Sequence, residues 1–159
     1  MNILYDERVD GALHSVDRAE FLHTLQSRLP DLDILHAAED LKPYECDGLS
    51  AYRTTPMLVV LPRHLEEVQG VLRLCHAHKV PVVARGAGTG LSGGALPLEK
   101  GVLLVMARFN KILEVDPAGR FARVQPGVRN LAISEAAAPL GLYYAPDPSS
   151  QIACSIGGN

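Results

Sequence analysis

Apolar positions recur at helical spacing near the start of the chain and then give way to short continuous apolar runs. Phe21, Leu22, Leu25 and Leu29 follow one another at three- and four-residue steps, and Pro30 ends the pattern. Asp17 and Glu20 have the spacing of a capping box, with Val16 and Phe21 placed as a hydrophobic staple. The spacing predicts a helix over 18–29. Residues 40–56, polar and small with Pro43, Gly48 and Pro56, predict a surface loop. Leu58-Val59-Val60-Leu61, closed by Pro62, is the continuous apolar run of a buried strand. Leu65, Val68, Val71, Leu72 and Cys75 mark the apolar stripe of a second helix over 64–78, and a second buried strand follows over 80–84. Strand, helix and strand in so short a span predict a right-handed parallel crossover.

Residues 102–106 predict a third strand. Residues 111–115 and 121–125 predict a hairpin around Asp116-Pro117-Ala118-Gly119. An Ala-rich helix is expected over 129–138, ended by Pro139 and Gly141. From Ala145 to Asn159 neither period is present. The expected class is α+β: a small parallel β-α-β sheet with helices, leading into a second, mainly antiparallel subdomain.

Composition narrows the possible functions. Apolar residues make up 47% and charged residues 21%, which suits a soluble globular core. A net charge of −3 and the absence of Trp argue against a nucleic-acid partner. Asp6 and Glu7 interrupt the first apolar residues, so no secretory signal is read, and no run is long enough for a transmembrane segment. The expected location is cytoplasmic. Cys46, Cys75 and Cys154 are odd in number and widely spaced, as expected of reduced thiols. His76 and His78, two apart on a helix, face different ways, and His14, His23, His36 and His64 stand alone. No metal set, nucleophile–base pair or paired carboxylates emerge, so no catalytic residue is assigned.

The chemistry concentrates in one loop. Five of the 14 glycines, Gly86, Gly88, Gly90, Gly93 and Gly94, fall within nine residues directly after the second strand. Glycines let a backbone approach a ligand closely, and successive N–H groups can form a nest for an anion. Thr89 and Ser92 add hydroxyl donors. The pattern points to a phosphate or pyrophosphate. Gly88-x-Gly90-x-x-Gly93 matches the dinucleotide fingerprint in form, but that motif must open a helix, and Gly93-Gly94 and Pro97 oppose one. No Gly-Lys-Ser/Thr ends the loop, so the ATPase phosphate loop does not fit either.

The stretch from Pro81 to Gly94 resembles the pyrophosphate loop of FAD-linked oxidases of the vanillyl-alcohol oxidase type. Gln125-Pro126-Gly127-Val128 resembles that family's second turn. Pro146-Asp147-Pro148-Ser149-Ser150 and Ser155-Ile156-Gly157-Gly158-Asn159 resemble its third FAD-contacting segment. The resemblance implies that FAD is held by Arg85, Gly86, Ala87, Gly88, Thr89, Gly90, Ser92 and Gly93. It adds Pro146, Asp147, Ser149, Ser150, Cys154, Ser155, Gly157, Gly158 and Asn159 from the third segment. Covalent members carry a flavin-linking histidine where this chain has Thr89, so the implied FAD is non-covalent.

Tyr44 to Arg53 and Leu96 to Gly101 resemble the branch of the family that oxidises glycolate. That resemblance implies a small 2-hydroxy acid as substrate and electrons passed to other subunits, an iron–sulfur subunit among them. It also allows peripheral attachment to the inner membrane through those partners. D-lactate or D-2-hydroxyglutarate as substrate, or a non-catalytic FAD-binding or subunit-docking module, remain as alternatives. Asp47, Tyr52 and Arg53 are read either as approaching substrate or flavin, or as structural loop residues. Arg85 is read either as a phosphate neighbour or as the partner in a salt bridge at the strand end. On this resemblance residues 1–54 form a helical and loop extension. Residues 55–159 form the N-terminal part of an FAD-binding domain that continues past Asn159, with the base and substrate clamp beyond it. The last fifteen residues are then expected to lack their anchoring strands.

Overall fold

The structure, a computed structural model, describes residues 16–159. The readings made for the first fifteen residues, His14 among them, lie outside the described residues. Helix α1 (Arg18–Arg28) starts where the Asp17 carboxylate accepts the Glu20 N–H at 2.8 Å, satisfying one of the donors a helix start leaves open. Its core face is narrow. Phe21 and Leu25 are fully buried, each burial stabilising by about 1.5–3 kcal/mol.

A strand that the spacing does not predict follows, β1 (Asp33–Leu35). The expected loop then contains a short helix α2 (Ala38–Leu41) and a 3-10 turn (Lys42–Tyr44). Next come β2 (Leu58–Leu61), α3 (Leu65–Ala77), β3 (Val82–Arg85), β4 (Val102–Val105), the hairpin β5 (Ile112–Asp116) and β6 (Phe121–Val124), and α4 (Asn130–Ala137).

The main sheet runs β1-β2-β4-β3, with β2, β4 and β3 parallel and β1 antiparallel on the edge. β4 lies between the two strands that α3 connects, which is why all four of its residues are buried. One sheet face, with Leu58, Val60, Val102 and Leu104, packs on Phe21, Leu25, Val71 and Cys75 of α1 and α3. The other face, with Val59, Leu103 and Val105, packs on Leu41, Leu35 and Tyr44. Residues 16–54 thus pack on both faces of the sheet and supply its edge strand. The fold is α+β, with the parallel sheet followed by the separate antiparallel pair β5–β6.

The stripe expected on α3 is shifted in phase. Leu65 and Leu72 are exposed, whereas Glu67 is buried. Its Oε2 accepts the Arg63 N–H at 2.6 Å, so the carboxylate serves the helix start while Val71 and Cys75 carry the core contact. His64 is not isolated, since its ring lies 3.2 Å from Glu66 and 3.5 Å from Glu67. His78 packs edge-on against Phe21 at 5.3 Å between ring centres.

Within the last fifteen residues, 151–157 are anchored, contrary to expectation. Backbone N–H groups of Asn130 and Leu131 donate to Cys154 and Gln151. Those of Ile156 and Gly157 donate to Val128 and Pro126. These bonds tie residues 151–157 to the turn before α4 and to its first two residues. No helix among the described residues is long and apolar enough to cross a membrane.

Candidate FAD site

Parallel strands end together, and the C-terminal end of β3 releases the glycine loop there. Arg85, the last residue of β3, turns its guanidinium back into the protein. Its Nη1 donates to the Cys46 carbonyl at 2.7 Å, and its carbon lies 5.6 Å from the centre of the Tyr44 ring. It makes no salt bridge among the described residues. It braces the loop from behind. Gly88 sits directly over this group: its φ is +72°, and a Cβ would lie 2.2 Å from Arg85 Nη2. Glycine is required there by the protein itself.

Gly90, Gly94 and Gly158 are different. A Cβ at any of them would meet nothing within 4 Å, and none has a positive φ. Neither packing nor backbone conformation demands glycine at these positions. They leave bare backbone open to the close approach of a ligand.

From Gly88 to Gly94, no described residue accepts any of the seven consecutive backbone N–H groups. The run ends at Ala95, whose N–H reaches Asp47 Oδ2 at 3.4 Å. Unpartnered amides in a glycine-rich loop are available to donate to an anion.

The loop forms one wall of a cleft of about 440 Å³. The opposite wall is the third segment, tied to the loop by Ser155. This serine is 6% exposed and its Oγ accepts the Ala87 N–H at 3.2 Å. The same Oγ would lie 2.0 Å from a Cβ on Gly86. The cleft brings together Arg85, Gly86, Ala87, Gly88, Thr89, Gly90 and Ser92 with Ser150, Cys154, Ser155, Gly157, Gly158 and Asn159. Gly93, Pro146, Asp147 and Ser149 do not line it. Ala95 and Met106 also line it, apolar wall residues with no chemical signature that the sequence did not single out, and Ala84, Gly94 and Pro126 join them from the Pro81 to Gly94 stretch and the second turn. No acidic side chain lines the cleft, and its one charged side chain is Arg85. The wall offers open amides, hydroxyls and glycine surface without a competing negative charge, which fits the pyrophosphate of a dinucleotide.

The remaining candidates take structural positions. Asp47 is buried and accepts the Leu49 N–H at 2.9 Å, and Arg53 pairs with Glu45. The three cysteines are free, Cys75 and Cys154 being buried, and burial pushes the Cys75 thiol up to about 12. No cluster of possible metal ligands occurs among the described residues.

A family model described as the FAD binding domain matches residues 56–159, from just before β2 through the whole cleft. The chain belongs to the FAD binding domain family. FAD is accordingly the cofactor of the cleft's family, and the fold is that of the vanillyl-alcohol oxidase type. The glycolate oxidase subunit GlcD of Escherichia coli strain K12 is 70% identical over all 159 residues, which span 32% of its length. A D-2-hydroxyglutarate dehydrogenase of Xanthomonas citri pv. viticola is 38% identical over 136 residues, covering 86% of this chain and 29% of the relative. Among solved structures, an alkyldihydroxyacetonephosphate synthase superposes with a TM-score of 0.76 at 24% identity, over 93% of this chain and 30% of that one. The chain thus spans about a third of the length of these relatives.

Proposed function

We propose that this chain is the FAD-binding part of a flavin-dependent 2-hydroxy-acid dehydrogenase that oxidises glycolate to glyoxylate. The observation that carries the reading is the glycine cleft, lined by Gly88, Thr89, Gly90, Ser92 and Gly94 with their unpartnered N–H groups and bare glycine walls. The choice of glycolate rests on the 70% identity to a glycolate oxidase subunit, against 38% for the D-2-hydroxyglutarate dehydrogenase. Bound FAD supplies the two-electron acceptor for the hydrogen on the substrate's α-carbon.

The residues of this chain bind and orient. The 88–94 amides hold the pyrophosphate, Ser155 keeps the two walls in register, and Gly90, Gly94 and Gly158 leave room for the cofactor to lie against the backbone. Of the residues implied by resemblance, the side chains of Pro146, Asp147 and Ser149 are given no part in this reading. No side chain of the cleft serves as a base for the substrate hydroxyl: no Asp, Glu or His lines it, and the Arg85 guanidinium stays protonated and can only donate. That group and the substrate-carboxylate clamp come from elsewhere in the protein.

FAD is held non-covalently, since Thr89 cannot form the histidyl link. The electrons leave through other glycolate oxidase subunits, one of them carrying iron–sulfur clusters. The complex is cytoplasmic and meets the inner membrane through those partners. Two measurements on the full-length protein test the reading. Dye-coupled turnover is compared for glycolate, D-lactate and D-2-hydroxyglutarate, with glycolate expected to be preferred. Acid precipitation is expected to release the flavin into the supernatant. Preference for another acid overturns the substrate, and flavin fluorescence in the washed pellet overturns the binding mode.

A further inference from the structure

The glycine loop is fastened at both ends to two consecutive residues far upstream. Before the loop, Arg85 Nη1 donates to the carbonyl of Cys46 at 2.7 Å. After it, the Ala95 N–H donates to Asp47 Oδ2 at 3.4 Å. The other oxygen of Asp47, Oδ1, accepts the Leu49 N–H at 2.9 Å and fixes the turn that follows. Within that turn Gly48 lies against the crown of the loop: a Cβ there would be 2.7 Å from the Thr89 carbonyl oxygen and 2.8 Å from that of Gly90. Asp47 itself is only 5% exposed. A buried carboxylate is retained where each oxygen has a donor.

We propose that Asp47 is a positioning residue for the cofactor. By bridging the N–H groups of Leu49 and Ala95 it clasps the 44–49 segment to the glycine loop. It thereby sets the curvature that presents the 88–94 amides as one nest. The inference rests on the reading of the cleft as the FAD site. The role needs a carboxylate because both oxygens must accept. Asparagine has one acceptor oxygen, and its amide nitrogen would face the second N–H. Alanine has neither acceptor.

The test is made on the full-length protein with FAD removed and added back. FAD affinity is expected to fall about tenfold in Asp47→Asn and about a hundredfold in Asp47→Ala, roughly tenfold for each charge-assisted bond lost. Gly48→Ala presses on the Thr89 and Gly90 carbonyls from behind and is expected to weaken FAD by about tenfold as well, without any change of charge. It keeps the inference testable if Asp47→Ala does not fold. At saturating FAD, KM and kcat for glycolate and the flavin absorption spectrum are expected to remain those of the wild type, while the flavin-free unfolding temperature of Asp47→Asn is expected to fall by a few degrees, because the bond it loses is present without FAD. Unchanged FAD affinity in both Asp47→Asn and Gly48→Ala overturns the inference alone. So does a loss of affinity accompanied by an altered KM at saturating FAD. Wild-type protein that takes up no FAD overturns the reading of the cleft, and this inference with it.

Discussion

Replacing Gly90 by valine separates what the protein needs from what its ligand needs. A Cβ at Gly90 meets no atom within 4 Å, so the flavin-free fold should change by no more than about 0.5 kcal/mol. The cofactor would meet the new side chain where the backbone is otherwise bare. Displacing the pyrophosphate from two amides removes two charge-assisted hydrogen bonds of about 1.5–3 kcal/mol each. The expected loss of about 3–6 kcal/mol corresponds to about 10²–10⁴ in Kd. Gly88→Val is the contrasting variant. Its Cβ would lie 2.2 Å from Arg85 Nη2 on backbone with φ +72°. The left-handed conformation alone costs an L-residue about 1–2 kcal/mol, and the displaced guanidinium adds to that. Gly88→Val should therefore lower the flavin-free unfolding temperature, and Gly90→Val should not. The assay is FAD titration by calorimetry on full-length, flavin-stripped protein, with thermal unfolding of the same samples. Wild-type FAD affinity in Gly90→Val refutes the reasoning.

Three further outcomes follow from the same structure. Residues 1–159 purified alone should reduce no dye with glycolate, because the cleft offers no base, and glycolate-dependent dye reduction would contradict this. Cys75 should resist a thiol reagent at neutral pH until the protein unfolds. Because burial raises its pKa from 9.0 to about 12, the stability it contributes is intact below pH 9 and declines as pH rises from 9 towards 12. Urea midpoints of wild type and Cys75→Ser should converge across that range. Asp33 is held below the usual carboxylate range, first by its hydrogen bond to Arg108 and then by Arg63. Its contribution is therefore present at neutral pH and fades as pH falls below about 4, so Asp33→Asn should show a weaker loss of stability in acid.

Continuous apolar runs revealed β2 and β4, because strands covered on both faces need no alternation. The glycine cluster revealed the cleft for a similar reason: five glycines in nine residues exceed what turns require. β1 was not legible, since three residues are too few to establish a period. The phase of α3 was misread because Glu67 is buried for the sake of the helix start, and no periodicity rule expects a carboxylate on the core face. The anchoring of 151–157 was invisible because it is made by backbone bonds to residues 126–131, which side-chain patterns do not record. Asp47 and Arg85 were recognised as polar residues near the loop. Their partners, Cys46 for Arg85 and Leu49 and Ala95 for Asp47, depend on how β3 and the 44–49 segment lie together, and no residue type encodes that.

Hydrogen–deuterium exchange on the full-length protein with and without FAD tests the central claim most directly. If the 88–94 amides hold the cofactor, exchange there should slow markedly on adding FAD, as should exchange in 157–159, while Arg18–Arg28 stays unchanged. Unaltered exchange across 88–94 in protein saturated with FAD would contradict the account.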